Sequence, residues 1–157
     1  MSSTIEESDR FLSLVLANRW NATILERISQ LKLADWWLTA GCLAQSVWNG
    51  IYKRAPDQGI LDYDVFYFDP ERDASDAIDR FPCGSVAIGV RRVGDGFKIH
   101  APFGLSPVLH GELIPNPALQ IPEVYAAKAE RWCRVWPDLK VREWPVSDAQ
   151  GKLGSAG

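Results

Sequence analysis

The chain has 157 residues, 46% of them hydrophobic and 24% charged, which suits one globular domain with a substantial core. A formal net charge of −3 supplies no electrostatic footprint for a long nucleic acid, and leaves room for a small anionic substrate held through a metal. No apolar run approaches the length of a transmembrane helix, and the opening Met1-Ser2-Ser3-Thr4-Ile5-Glu6-Glu7 is polar and acidic, unlike a signal peptide, so a cytoplasmic location with no membrane partner is expected.

Between Asp9 and Leu31 the apolar residues recur at helical spacing, from Phe11, Leu12, Val15 and Leu16 to Ile24, Leu25 and Ile28. Asn18 and Asn21 weaken the middle, so one long helix or two shorter ones fit. Trp36-Trp37-Leu38-Thr39-Ala40 predicts a short strand, and Gly41 opens a helical pattern from Cys42 to Tyr52. Lys53 to Gly59, with Pro56 and Gly59, reads as a loop into the strand Asp62-Tyr63-Asp64-Val65-Phe66-Tyr67-Phe68. The polar, acidic stretch Glu71 to Arg80 predicts a short helix starting near Asp73 or Ser75. Ser85 to Arg92 and Gly96 to Ala101 flank Gly94-Asp95-Gly96, a β-hairpin signal. Pro102 to Pro122 is rich in Pro and Gly and reads as irregular. Glu123 to Val135 predicts a helix with Val124, Ala127, Trp132 and Val135 on its apolar surface, stopped by Pro137, and Leu139 to Trp144 a final strand. The tail 147–157 reads as disordered, leaving a single domain over residues 1–146.

The carboxylates Asp62 and Asp64 stand two apart in a run otherwise made of aromatic and β-branched residues, so on a strand both project from one face. Charges at such neighbouring positions repel and desolvate badly, which a strand built only for burial avoids. Paired carboxylates are what hard divalent cations use in phosphoryl and nucleotidyl transfer. The bland alternative is a strand end whose aspartates cap a turn after Gly59.

The order strand, glycine, helix, loop, Asp-x-Asp strand suits nucleotidyl transfer. Gly41 lets a triphosphate approach the backbone at a helix N-terminus, where negative charge is favoured. Gln45 and Asn49, four apart on that helix, are candidates to hydrogen-bond a phosphate or ribose. Lys53 and Arg54 are the nearest cations in sequence, and as a solvated helix end they need no ligand. Cys42, Cys83 and Cys133 form neither a disulfide framework nor a zinc site, and His100 and His110 cannot make a His-rich metal cluster. Trp36, Trp37, Trp48, Trp132, Trp136 and Trp144 fall on predicted apolar faces and read as core rather than as a ligand cage.

The segment from Trp36 to Asn49, followed by Gly59 to Asp69, resembles a bacterial family of nucleotidyltransferase-like proteins. So do Asp76-Ala77-Ile78-Asp79-Arg80-Phe81-Pro82, Ala101-Pro102-Phe103-Gly104-Leu105, Tyr125-Ala126-Ala127-Lys128-Ala129, Arg131-Trp132 and Trp136-Pro137. The resemblance covers most of residues 30 to 145. It implies the polymerase-β-like nucleotidyltransferase superfamily, an α+β fold with a mixed β-sheet flanked by helices, in which the acidic pair binds metal. On that basis Asp62 and Asp64 are the expected catalytic and metal-binding pair, Mg²⁺ (or Mn²⁺) the expected cofactor, and an NTP and an unidentified acceptor the expected substrates.

Two departures stand out. Ala40-Gly41-Cys42 occupies the place of the superfamily's Gly-Gly or Gly-Ser turn. Family members also carry a longer segment, with its own acidic residue, between the Asp-x-Asp strand and the Asp-Ala-Ile-Asp-Arg-Phe string, whereas this chain passes from Asp69-Pro70 to Asp76 almost at once. Glu71, Asp73 or Asp76 is the candidate substitute for the acidic residue of that segment. Without it, the alternative is an impaired or inactive member that binds a nucleotide or a protein. A third reading is an interaction module built on the tryptophans. The shortened middle also leaves an expected sheet edge open to a second copy, hence a possible homodimer.

Overall fold

The computed structural model describes residues 2–67, 71 and 73–145. The expected disordered tail 147–157 lies outside them, as do Phe68, Asp69 and Pro70.

The N-terminal pattern resolves into two helices, α1 (Ser2–Ala17) and α2 (Arg19–Gln30). Asn18 makes the break: it adopts extended backbone and its Oδ1 accepts from the amide of Trp20, an N-cap for α2. Asn21 is buried one turn later, where its Nδ2 donates to the Val15 carbonyl (3.0 Å) and to Ser46 Oγ (2.9 Å). The two asparagines that weaken the helical pattern thus terminate one helix and dock the next.

Strand β1 (Trp37–Thr39) is buried along its whole length and runs into α3 (Gly41–Ile51). Strand β2 (Asp64–Phe66) pairs antiparallel with β1, with Thr39 opposite Asp64 and Trp37 opposite Phe66. After helix α4 (Ala74–Asp79), capped by the Asp73 carboxylate on the Ser75 amide, come the hairpin strands β3 (Gly89–Val93) and β4 (Gly96–His100). The sheet order is β2-β1-β3-β4. The fold is α+β as expected, but the sheet is antiparallel throughout rather than mixed. The parallel pairing is separate, between β5 (Glu112–Leu113) and β6 (Lys140–Val141). A short helix α5 (Ser106–Leu109) lies in the stretch expected to be irregular, and α6 (Pro122–Val135) precedes β6. Tyr125 of α6 ties the β5-β6 pair down, its single hydroxyl proton shared between the carbonyls of Leu113 (2.8 Å) and Arg142 (2.6 Å).

Three expectations need correction. The aspartate strand is three residues long, not seven: β1 offers only three partners before Ala40 turns the chain away, so Asp62 and Tyr63 precede the ladder. Ser85 lies in a 3₁₀ turn (Gly84–Val86) rather than in the hairpin. On α6 the buried stripe is Tyr125, Ala129 and Trp132, whereas Val124 is 42% exposed.

The main core gathers Phe11 and Val15 of α1, Leu43, Val47 and Trp48 of α3, and Trp132 of α6 with the following Trp136. Trp48 packs edge-on against both Trp132 and Trp136, at centroid separations of 5.7 and 5.4 Å. Trp37 points the other way, into a smaller cluster with Ala74, Ile78 and Ala87. Five of the six tryptophans expected in the core are buried and Trp144 is half-buried. No helix among the described residues is long and apolar enough to cross a membrane.

Candidate active site

The turn from β1 into α3 is strained. Ala40 adopts φ 56°, ψ −118°, a region that side-chain-bearing residues rarely occupy, and is held there by its own amide donating to the Ile88 carbonyl (2.9 Å). Its carbonyl takes the amides of Leu43 (3.0 Å) and Ala44 (3.1 Å). No side chain caps α3, so the amides of Gly41 and Cys42, which no carbonyl of their own helix can reach, face the end of the helix dipole. A Cβ on Gly41 would stand 3.1 Å from Gln45 Nε2, so the glycine lets that side chain lie over the turn.

Asp62 and Asp64 reach the same place from the other side. Between them Tyr63 turns inward, its hydroxyl accepting from Asn18 Nδ2 (3.0 Å), which also donates to Ser46 Oγ (3.2 Å). This anchor leaves both flanking carboxylates exposed, and both line one cavity of about 220 Å³. Asp64 is fixed further by Thr39, whose Oγ1 donates to the Asp64 carbonyl (3.1 Å). Ala40, Gly41 and Gln45 form the adjoining wall, and Phe81, Pro82 and Val86 an apolar one. The remaining wall is α6, which presents Lys128, Arg131, Trp132 and Val135 at i, i+3, i+4 and i+7. Neither aspartate forms an ion pair among the described residues.

Beneath the turn, Cys42 is a buried thiol whose Sγ donates to the Thr39 carbonyl (3.5 Å). Burial, with the Asp64 carboxylate adding to it, pushes this thiol up to about 12, far from a nucleophilic thiolate. Cys42, Cys83 and Cys133 are free thiols.

Four of the five candidate residues, Asp62, Asp64, Gly41 and Gln45, meet at the cavity. Asn49 does not. It is fully buried: its Nδ2 donates to the carbonyls of Pro56 (3.0 Å) and Gln58 (2.9 Å), and its Oδ1 accepts from Trp136 Nε1 (2.8 Å). With its amide committed inside the protein, it holds the loop leading to Asp62 against the end of α6. Arg54 joins the same clamp, its Nη1 donating to the Val135 carbonyl, and Gly59 (φ 76°) fits where a Cβ would stand 2.8 Å from Val135 Cγ1. Lys53 and Arg54 are not among the residues lining this cavity; Lys128 and Arg131 are. The signal for them was the true stripe of α6: Tyr125, Ala129 and Trp132 follow the helical period, and Lys128 and Arg131 flank it. Of the proposed substitutes for a third acidic residue, none of Glu71, Asp73 and Asp76 lines the cavity.

A family model described as nucleotidyltransferase matches residues 26–75 and 70–141, so the chain belongs to this nucleotidyltransferase family. The two matched pieces overlap at residues 70–75. A solved structure titled as an NMR structure that reveals a CCA-adding enzyme head domain aligns with a TM-score of 0.68, over 83% of this chain and 94% of that one. At 21% identity that likeness establishes the fold. No curated protein matches the chain.

Proposed function

We propose that the chain binds a nucleoside triphosphate with Mg²⁺ (or Mn²⁺) in this cavity and transfers the nucleoside monophosphate to an acceptor. One observation carries the reading: the exposed carboxylates of Asp62 and Asp64, in no ion pair among the described residues, share a cavity with the glycine turn at the N-terminus of α3.

The donors fit the metal. No group of three or more His, Cys, Asp or Glu residues is placed to hold an ion among the described residues. Mg²⁺ does not require one, because it takes oxygen ligands from one or two carboxylates and completes its shell with water and substrate phosphates. Bound there, the ion would polarise the α-phosphorus and offset the charge of the departing pyrophosphate. The chain's own part is positioning. Tyr63 and Thr39 hold the carboxylates at the rim, the Gly41 amide offers a hydrogen bond to a phosphate oxygen, and Gln45 adds a side-chain amide.

Calorimetry with Mg²⁺ and ATP tests this. Wild type is expected to bind with metal dependence, and Asp62→Ala/Asp64→Ala to lose that dependence; wild-type protein that is folded and binds nothing overturns the reading. A second reading, nucleotide binding without transfer, is favoured by the absence of Glu71, Asp73 and Asp76 from the cavity walls. Product formation from α-labelled ATP separates the two, since binding is common to both.

A further inference from the structure

We propose that Lys128 and Arg131 of α6 form the subsite for the β- and γ-phosphates, so that this site selects triphosphates over monophosphates. The inference rests on the nucleotide reading above and adds the residues that grip the phosphate tail.

Both cations line the cavity that holds Asp62 and Asp64, from a different structural element, and both also border a shallower groove with Glu123, Val124 and Ala127. Neither is in an ion pair among the described residues, although α6 itself carries one, Arg134 with Glu130 at 2.7 Å. Two carboxylates and two cations thus face a shared space without neutralising each other. A ligand that brings a cation to one wall and anionic oxygens to the other satisfies both, which is the charge pattern of a metal-bound polyphosphate. Residues three apart on a helix have Cβ atoms roughly 5–6 Å apart, enough for two side chains to take successive phosphate groups rather than one.

The stems are also placed. Lys128 is half-buried, its Nζ 6.0 Å from the Trp132 ring centroid, and Trp132 lines the same cavity. Trp132 is held in turn by the core against Trp48. Arg131 is exposed at the rim, where a guanidinium can take a terminal phosphate by two hydrogen bonds. Arg54, close in sequence to α3, is already engaged on the Val135 carbonyl, and Lys53 does not line this cavity.

The test compares three probes by calorimetry in Mg²⁺: ATP, inorganic tripolyphosphate and AMP. Lys128→Gln/Arg131→Gln is expected to weaken ATP and tripolyphosphate by about tenfold or more while changing AMP little. Lys128→Arg/Arg131→Lys, which keeps both charges, is expected to recover most of the loss. The exposed Arg131→Gln alone should show part of it, so the outcome does not hang on the double variant folding. Neutral variants that bind ATP as wild type does would overturn the subsite and leave the aspartate reading intact. An equal loss for AMP and ATP would also overturn it, since the effect would then be general. If folded wild type shows no metal-dependent ATP binding, the underlying reading fails, and the subsite with it.

Discussion

Ala40 concentrates the residue-scale account. At φ 56°, ψ −118° its methyl sits in a conformation that costs of the order of 1–3 kcal/mol, and the bond to Ile88 shows what holds it there. Glycine would relieve that strain, against losses from methyl burial and greater unfolded-chain freedom of about 1–1.5 kcal/mol together. Ala40→Gly is therefore expected to leave stability near that of wild type. The same change at fully buried Ala44 inside α3 is expected to lower it by about 2 kcal/mol. Urea unfolding of the two variants checks the contrast, and equal losses would show that Ala40 carries no strain. The strain was not legible in the sequence: Ala40-Gly41 shows only that one residue of the turn tolerates any backbone angle, and it is the neighbour that takes the positive φ. The carboxylate pair was legible, because two charges at alternate positions among Tyr, Val and Phe conflict with simple burial.

At the scale of elements, the site depends on a loop being held, and Asn49 holds it. Three hydrogen bonds converge on one buried amide, joining α3, the loop at Pro56 and Gln58, and Trp136 beyond α6. Asn49→Ala leaves the Trp136 indole N–H and two carbonyls without their partner, which is expected to cost about 2–4 kcal/mol. Because the loop delivers Asp62, metal-dependent ATP binding should weaken in protein that remains folded. A variant as stable as wild type by urea unfolding would contradict this arrangement. Helical spacing puts Asn49 and Gln45 on one side of α3, and on that ground both look available to a ligand. The difference arises from depth: the packing of Trp136 covers Asn49 while Gln45 stays at the cavity, and that packing joins residues 87 apart in the chain. The break between α1 and α2 was half legible, since Asn18 and Asn21 interrupt the pattern without saying whether they end a helix. The length of the aspartate strand was not, because it is set by where its partner β1 stops.

For the whole molecule, α3, the β2 edge and α6 each contribute one wall of a single cavity, and no one segment carries the chemistry. The sheet puts β2 at its edge, beside β1, so that the carboxylates open toward solvent. Membership in the nucleotidyltransferase family and the head-domain fold agree with what Trp36 to Asp69 suggests, whereas the cationic wall on α6 emerges only when residues about seventy positions apart are folded together. The central claim is that a metal and a nucleotide meet at Asp62, Asp64 and the Gly41 turn. Its most direct test is a two-dimensional NMR spectrum of the intact chain with ATP and a trace of Mn²⁺, whose unpaired electrons broaden nearby amide signals. The account predicts selective broadening at Gly41, Cys42 and residues 62–64, abolished by Asp62→Ala/Asp64→Ala. Broadening centred elsewhere on the fold, or unchanged in that variant, would contradict it.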